Sequence, residues 1–131
     1  MSDVLEKAII LFKYAKKVEE IERNTVCLTT QYLDQRNDYL QIYLIAEEQG
    51  YTLTDDGWIL DDIKHLANYD ENQELIAQIL QKLDIRRNED EIYVKIDLAN
   101  LTKAKDNFIR AICAINEILR NSIQTCEVSE Q

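Results

Sequence analysis

Four aspartates in two polar turns are the residues of this chain whose types and spacing could do chemistry. Asp34 and Asp38 lie in the turn LDQRND, and Asp55 and Asp56 lie in the turn LTDDG. If the strands that these turns join are neighbours in one sheet, the carboxylates need not be far apart. Because Mg²⁺ and Mn²⁺ prefer oxygen ligands, Asp34, Asp38 and Asp55 form a candidate metal site. Aspartate is also a common turn residue for conformational reasons alone, and both interpretations stay open.

A metal-dependent hydrolase would also use a lysine close to the carboxylates, to stabilise the water that the metal activates. The candidates are Lys64, just after the second turn, and Lys95, in a later segment. The catalytic set, if there is one, would be Asp38, Asp55 and Lys95. The chain has only two glycines, so a glycine-rich phosphate loop is not possible. We therefore expect no cofactor, with Mg²⁺ or Mn²⁺ as the alternative.

Aromatic side chains with a polar end surround the same turns. The chain has seven tyrosines and one tryptophan, and most of them cluster between residues 32 and 69. Such side chains are frequent at protein interfaces, and they can equally serve as the outer packing of a small sheet. If the region is a binding surface, its predicted residues are Asp34, Asp38, Tyr39, Asp55, Asp56 and Trp58.

The net charge limits the kind of partner that such a surface would bind. Lys and Arg number 15 against 25 Asp and Glu, which gives a formal charge of -10. A field of this sign repels phosphate backbones and attracts basic surfaces. We expect a protein partner with a basic surface and no direct binding of nucleic acid.

The cysteines and the hydropathy pattern indicate the compartment. Three cysteines lie far apart without a CxxC motif, which is typical of free thiols in a reducing cytosol. Charged residues interrupt the N-terminal apolar residues, unlike the apolar run of a signal peptide. No segment approaches the roughly 20 apolar residues of a membrane-spanning helix. We expect a soluble cytoplasmic protein without a membrane contact.

Apolar periodicity predicts the elements that position the turns. A helix is predicted from Asp3 to about Arg23. Alternating and β-branched residues then predict an antiparallel β-meander, with a strand over 25–30 leading into Tyr32 and further strands over 39–46 and 51–54. The dipeptide Asp56-Gly57 is typical of a hairpin, so a short fourth strand is predicted over 58–60.

Helices dominate the predicted second half. One helix is opened by Asp61 and Asp62 and another by Asp70, followed by a charged connection over 84–90 and a strand around residues 92–97. Asn100 caps a long last helix whose apolar residues repeat every seven positions. This helix is predicted to pack across the sheet, and a homodimer seam is the alternative. The fold class is α+β, with one domain over 1–123 and a flexible tail over 124–131.

The two turns also resemble a known family. The run YLDQRNDYLQIYL and the later run GYTLTDDGW are similar to the hallmark of the family called domain of unknown function 1828, over about residues 25–70. The resemblance implies a bacterial or phage-associated protein and a real site around Asp34, Asp38 and Asp55, and it supplies no established activity. The element order is also compatible with a restriction-endonuclease-like core, but no lysine follows Asp55 and Asp56 closely, which puts such a nuclease in doubt.

Two functions follow from these observations, beside a purely structural role as an assembly protein that dimerises through its long last helix. The first is a small acidic interaction protein of phage or mobile-element type that binds a basic protein surface. It could inhibit a nucleic-acid-processing or defence enzyme by imitating the charge of nucleic acid. The alternative is a metal-dependent phosphodiesterase that uses the carboxylates of the turns.

Overall fold

The computed structural model describes residues 3–34, 37–65, 69–97 and 99–129. Within these ranges four α-helices accompany a six-stranded sheet, and the chain is α+β as predicted. In chain order the elements are α1 (Asp3–Leu11), β1 (Lys17–Glu22), β2 (Thr25–Leu33), β3 (Tyr39–Ala46), β4 (Tyr51–Thr54), α2 (Trp58–Lys64), α3 (Tyr69–Lys82), β5 (Arg86–Asn88), β6 (Glu91–Ile96) and α4 (Leu101–Ser129). The strand order is β1-β2-β3-β4-β6-β5, and all neighbouring pairs are antiparallel.

The core lies on one face of the sheet. Alternate residues of the strands point to it, because successive side chains of a strand point to opposite faces. In β3 these are Leu40, Ile42 and Leu44, and residues of all four helices complete the same cluster. The other face of β3 is more accessible, with Tyr39 and Gln41 exposed and Tyr43 half-buried. The opposite burial of the two faces agrees with the alternation in the sequence.

α4 packs on the sheet, as the first interpretation of its repeat predicted. Its buried residues Ala104, Phe108, Ala111, Ile112 and Ile115 belong to the core of the same chain. The structure extends this helix through residues 124–129, which were predicted to lie in a tail. Dimerisation through α4 stays a prediction.

The predicted first helix is too long. α1 ends at Leu11, and residues 17–22 form the edge strand β1, which pairs with β2. Val18 and Ile21 continue the helical spacing of α1 by coincidence. A tight turn joins β1 to β2, in which Asn24 takes a φ of 68°. The residues of β1 are mostly charged and exposed, which is typical of an edge strand that avoids pairing with other chains.

The predicted strand over 58–60 is wrong, because these residues begin α2. Asp56 and Gly57 do take positive φ values of 61° and 87°, as the hairpin signal requires. The carboxylate of Asp55, however, accepts the backbone N–H of Ile59, and the chain continues as a helix. The connection predicted over 84–90 also contains a short strand, β5, which forms a hairpin with β6.

Candidate functional site

A groove on the accessible side of β3 brings together four of the six predicted binding residues. Its volume is about 440 Å³. We call it the Trp58 groove, and its lining residues are Thr29, Asp34, Asp38, Tyr39, Leu40, Gln41, Tyr43 and Trp58. The lining contains two carboxylates and no lysine or arginine, so the groove has the same sign of charge as the whole chain.

The turn between β2 and β3 forms one end of this groove. The backbone N–H of Asp38 donates to Oδ1 of Asp34 at 3.0 Å, and the N–H of Asp34 donates to the carbonyl of Asp38 at 2.8 Å. Asn37 takes a φ of 64° between them. Asp34 thus holds the shape of the turn, whereas the Asp38 side chain extends from an exposed position.

Trp58 forms the opposite wall. Its indole N–H donates to the carbonyl of Gln41 at 3.0 Å. β3 pairs with β4 only from Tyr43 onwards, so Gln41 lies where β3 extends past the end of β4. The indole therefore satisfies a carbonyl at the open part of β3, and this hydrogen bond fixes the ring against the sheet.

One aromatic ring of the groove, that of Tyr39, has a cation close by. Nζ of Lys16 lies 5.4 Å from the centroid of the Tyr39 ring, which is within the range of a cation–π interaction. Burial raises the pKa of Tyr43, and the charges of Cys27 and Asp56 add to that rise. Asp56 is thus electrostatically coupled to Tyr43 at the side of the groove.

Asp55 does not line the groove. Its side chain is fully buried, and Oδ1 accepts the N–H groups of Gly57 at 2.9 Å and Ile92 at 3.1 Å. Oδ2 accepts the N–H of Ile59 at 3.1 Å. Burial raises the pKa of the Asp55 carboxyl above its usual value of 3.8, although the three N–H groups oppose that rise. This carboxylate ties the start of α2 to β6.

The two lysine candidates lie away from the aspartates of the groove. Lys64 pairs with Asp90 and Asp61. Nζ of Lys95 donates to Oγ1 of Thr52 at 2.8 Å and lies 3.5 Å from the carboxylate of Glu47. Since Lys95 is in β6, β4 separates it from β3.

The three predicted metal ligands are not assembled as a set. Among the residues that the structure describes, no group of three or more His, Cys, Asp or Glu side chains is placed to hold a metal ion. Asp34 and Asp38 share the turn after β2, whereas both oxygens of Asp55 face backbone N–H groups. Asp34 and Asp55 thus both accept backbone N–H groups of their own turns.

Four residues of the groove were not among the predicted site residues, and one of them, Leu40, belongs to the core. Gln41 and Tyr43 follow Tyr39 at alternate positions of β3, so the strand pattern already placed them on one face. Thr29 lies opposite Gln41 in β2 and accepts a hydrogen bond from its side-chain amide at 3.3 Å. The contact between Thr29 and Gln41 depends on the register between β2 and β3, which the sequence pattern does not predict.

Comparison with known proteins places the chain in a family. The family model described as domain of unknown function DUF1828 matches residues 30–115, roughly two thirds of the chain. The chain belongs to this family. The match is longer than the resemblance seen in the sequence, and it includes β3 to β6 and both hallmark turns of the family. No match was found among curated proteins or among solved structures. Within the described residues, no helix is both long and apolar enough to cross a membrane.

Proposed function

We propose that this member of the DUF1828 family is a protein-binding module that receives a lysine or arginine side chain of a partner in the Trp58 groove. The observation that carries the proposal is the convergence of Asp34, Asp38, Tyr39 and Trp58 on one groove. Aromatic faces attract cations, and a nearby carboxylate adds a charge-assisted hydrogen bond. Lys16 above the ring of Tyr39 is an internal example of the same interaction.

The proposed partner is an enzyme that processes nucleic acid or acts in defence, because such enzymes present basic channels. An acidic domain bound in such a channel would exclude the nucleic acid and inhibit the enzyme, as expected of a small protein of phage or mobile-element type. We place the interaction in the cytoplasm, which is supported by the free thiols of Cys27 and Cys113.

The position of Trp58 supplies a direct test. It is the single tryptophan of the chain, so the intrinsic fluorescence of the protein reports on the groove. We would titrate the protein with a short peptide of arginines and, as the control, with the same peptide in which neutral citrulline replaces arginine. We expect the arginine peptide to change the Trp58 emission in a saturable manner and the citrulline peptide to bind more weakly.

Charge reversal at the groove locates the binding. Asp38→Lys should weaken binding of the arginine peptide by about five- to tenfold, because an exposed ion pair contributes roughly 0.2–1 kcal/mol and reversal also adds repulsion. The matched control is Glu48→Lys, which changes the net charge equally at the other end of β3. Equal effects of the two variants, or equal binding of the two peptides, would contradict the proposal.

The metal-dependent phosphodiesterase has less support. Its proposed ligand Asp55 offers both oxygens to backbone N–H groups, and its proposed lysines pair with acids elsewhere. Thermal melts with Mn²⁺ or Mg²⁺ decide the point, because a ligand of the native state raises the melting temperature. Saturable stabilisation that Asp38→Asn and Asp55→Asn both abolish, with Asp90→Asn as the control, would favour the hydrolase.

A further inference from the structure

A second cavity, distinct from the Trp58 groove, lies between α1, β2 and α4. It has a volume of about 360 Å³. Its walls are the turn after α1 (residues 11–15), residues 30–32 of β2, and one side of α4 (residues 105–110). We call it the Arg110 cavity. Its size is within the range of sites that bind small molecules.

A bulge in β2 shapes one wall of this cavity. Thr29 pairs with Gln41 and Leu33 pairs with Tyr39, so residues 30–32 lie opposite Leu40 alone. Thr30 is buried, and its hydroxyl oxygen accepts the N–H of Tyr32 at 3.2 Å. A bulge of this kind redirects side chains, and bulges are frequent next to binding sites.

The cavity has an apolar body. Phe12 is 9% exposed and belongs to the core, and Ile109 of α4 is half-buried against it. At the rim, Tyr14 is 71% exposed and Tyr32 is 39% exposed. Folding therefore leaves two aromatic side chains at the mouth of the cavity, where an apolar ligand could cover them.

The charge of the lining is opposite to that of the protein. Lys13, Lys105 and Arg110 contribute three cations, against the single carboxylate of Asp106. Nζ of Lys105 lies 2.7 Å from Oδ1 of Asp106, which offsets one of these cations. The C-terminal end of α1 lies at the same wall and carries partial negative charge, which disfavours an anion. The preference for an anion therefore depends on the lysine and arginine side chains. Such a local excess of positive charge in a chain of net charge -10 attracts an anion against the overall field.

From this combination we infer that the Arg110 cavity binds a small organic anion, such as a carboxylate or sulfonate with an aromatic or aliphatic body. The apolar part lies on Phe12 and Ile109, and the anionic group faces Arg110 and Lys13. The site is independent of the Trp58 groove, because the two cavities share no lining residue.

Two dyes with the same aromatic skeleton, one anionic and one neutral, test the inference. The anionic probe is 8-anilinonaphthalene-1-sulfonate, and the neutral probe is N-phenyl-1-naphthylamine, which lacks the sulfonate. We expect saturable binding of the anionic dye to the folded full chain and clearly weaker binding of the neutral dye. In Arg110→Gln the anionic dye should bind about three- to tenfold more weakly, since a charge-assisted hydrogen bond is lost.

Lys103→Gln is the matched control, because Lys103 is on the same helix but lines a different cavity. Tyr14→Ser tests the apolar rim and should weaken the binding of both dyes. Because Tyr14 is exposed, we expect the variant to fold. The inference is overturned if both dyes bind equally, if Lys103→Gln weakens binding as much as Arg110→Gln, or if Tyr14→Ser leaves both dyes unaffected. The peptide titration followed by Trp58 fluorescence tests the Trp58 groove alone. Either binding site can therefore be disproved without affecting the other.

Discussion

Asp55 shows how a residue chosen for its chemistry can have a structural task. Its carboxylate accepts three backbone N–H groups, from Gly57, Ile59 and Ile92. These contacts join the start of α2 to β6 across 37 residues of sequence. The sequence places Asp55 in the family hallmark, but an aspartate at this position fits both a metal ligand and a buried cap. The hydrogen-bond donors to the carboxylate distinguish the two roles, and one of them, Ile92 of β6, is distant in the sequence.

Asp55→Asn should lower the free energy of unfolding. The amide retains one acceptor oxygen, but its NH₂ group then faces a backbone N–H, and an unsatisfied buried donor costs about 1–3 kcal/mol. Asp56→Asn is the control, because Asp56 is exposed and asparagine tolerates its φ of 61°. Urea denaturation measures both variants. A loss of stability in Asp56→Asn as large as in Asp55→Asn would contradict the assignment.

The same variant has a pH dependence of defined sign. Since burial raises the pKa of Asp55 in the folded state, the folded protein holds this proton more tightly than the unfolded chain. Wild-type stability from this group is therefore highest below the usual pKa of 3.8 and falls as the pH rises through the raised value. The destabilisation caused by Asp55→Asn should therefore become smaller as the pH rises through that window. A destabilisation that grows with pH would show that the folded pKa is lowered.

At the scale of elements, the two glycines have different reasons to be glycine. Gly50 and Gly57 take φ values of 90° and 87°, where L side chains are strained. A Cβ at Gly50 would overlap the backbone carbonyl oxygen of Ile96, at the end of β6. A Cβ at Gly57 would have its nearest neighbour at 3.9 Å, in ordinary contact.

Gly50→Ala should therefore be more destabilising than Gly57→Ala. The strain of the positive φ costs about 1–2 kcal/mol at either site, and overlap with rigid backbone adds about 1–3 kcal/mol at Gly50 only. Chemical denaturation of the two variants gives the comparison. Equal losses would mean that the turn after β3 adjusts without disturbing β6.

The elements also show what a sequence can predict. The strand over 39–46 and the helix after Asp70 were predicted closely, because their patterns are regular and most of their partners are local. β1 was not predicted, since an exposed edge strand needs no alternation. The helix opened by Asp61 and Asp62 was predicted, but its start at residues 58–60 was misassigned as a strand. The positive φ values of Asp56 and Gly57 suit a hairpin and a helix start equally, and the deciding contacts come from Asp55. The register that joins Thr29 to the Trp58 groove depends on tertiary pairing, which local pattern does not contain.

At the scale of the whole molecule, charge is distributed unevenly. The chain has a net charge of -10, and the Trp58 groove agrees with that sign while the Arg110 cavity opposes it. A uniform field steers a charged partner towards the protein, whereas contacts in a groove hold it there. Acidic residues far from the groove should therefore affect the association rate of a basic partner, and acidic residues in the groove should affect its dissociation rate.

The double variant Glu71→Gln, Glu74→Gln tests this separation. Both residues are exposed on α3, which contacts β5, and β5 is the edge strand farthest from β2 and β3 in the strand order after β6 and β4. We expect slower association of the arginine peptide at low salt with little change in dissociation, as measured by stopped-flow fluorescence of Trp58. Asp38→Lys should instead speed dissociation. At about 1 M salt the Debye length falls to about 3 Å, so the effect of the double variant should vanish while the effect of Asp38→Lys partly persists. If the double variant changed dissociation and left association unaltered, the peptide would contact α3 directly, and the Trp58 groove would not be its binding site.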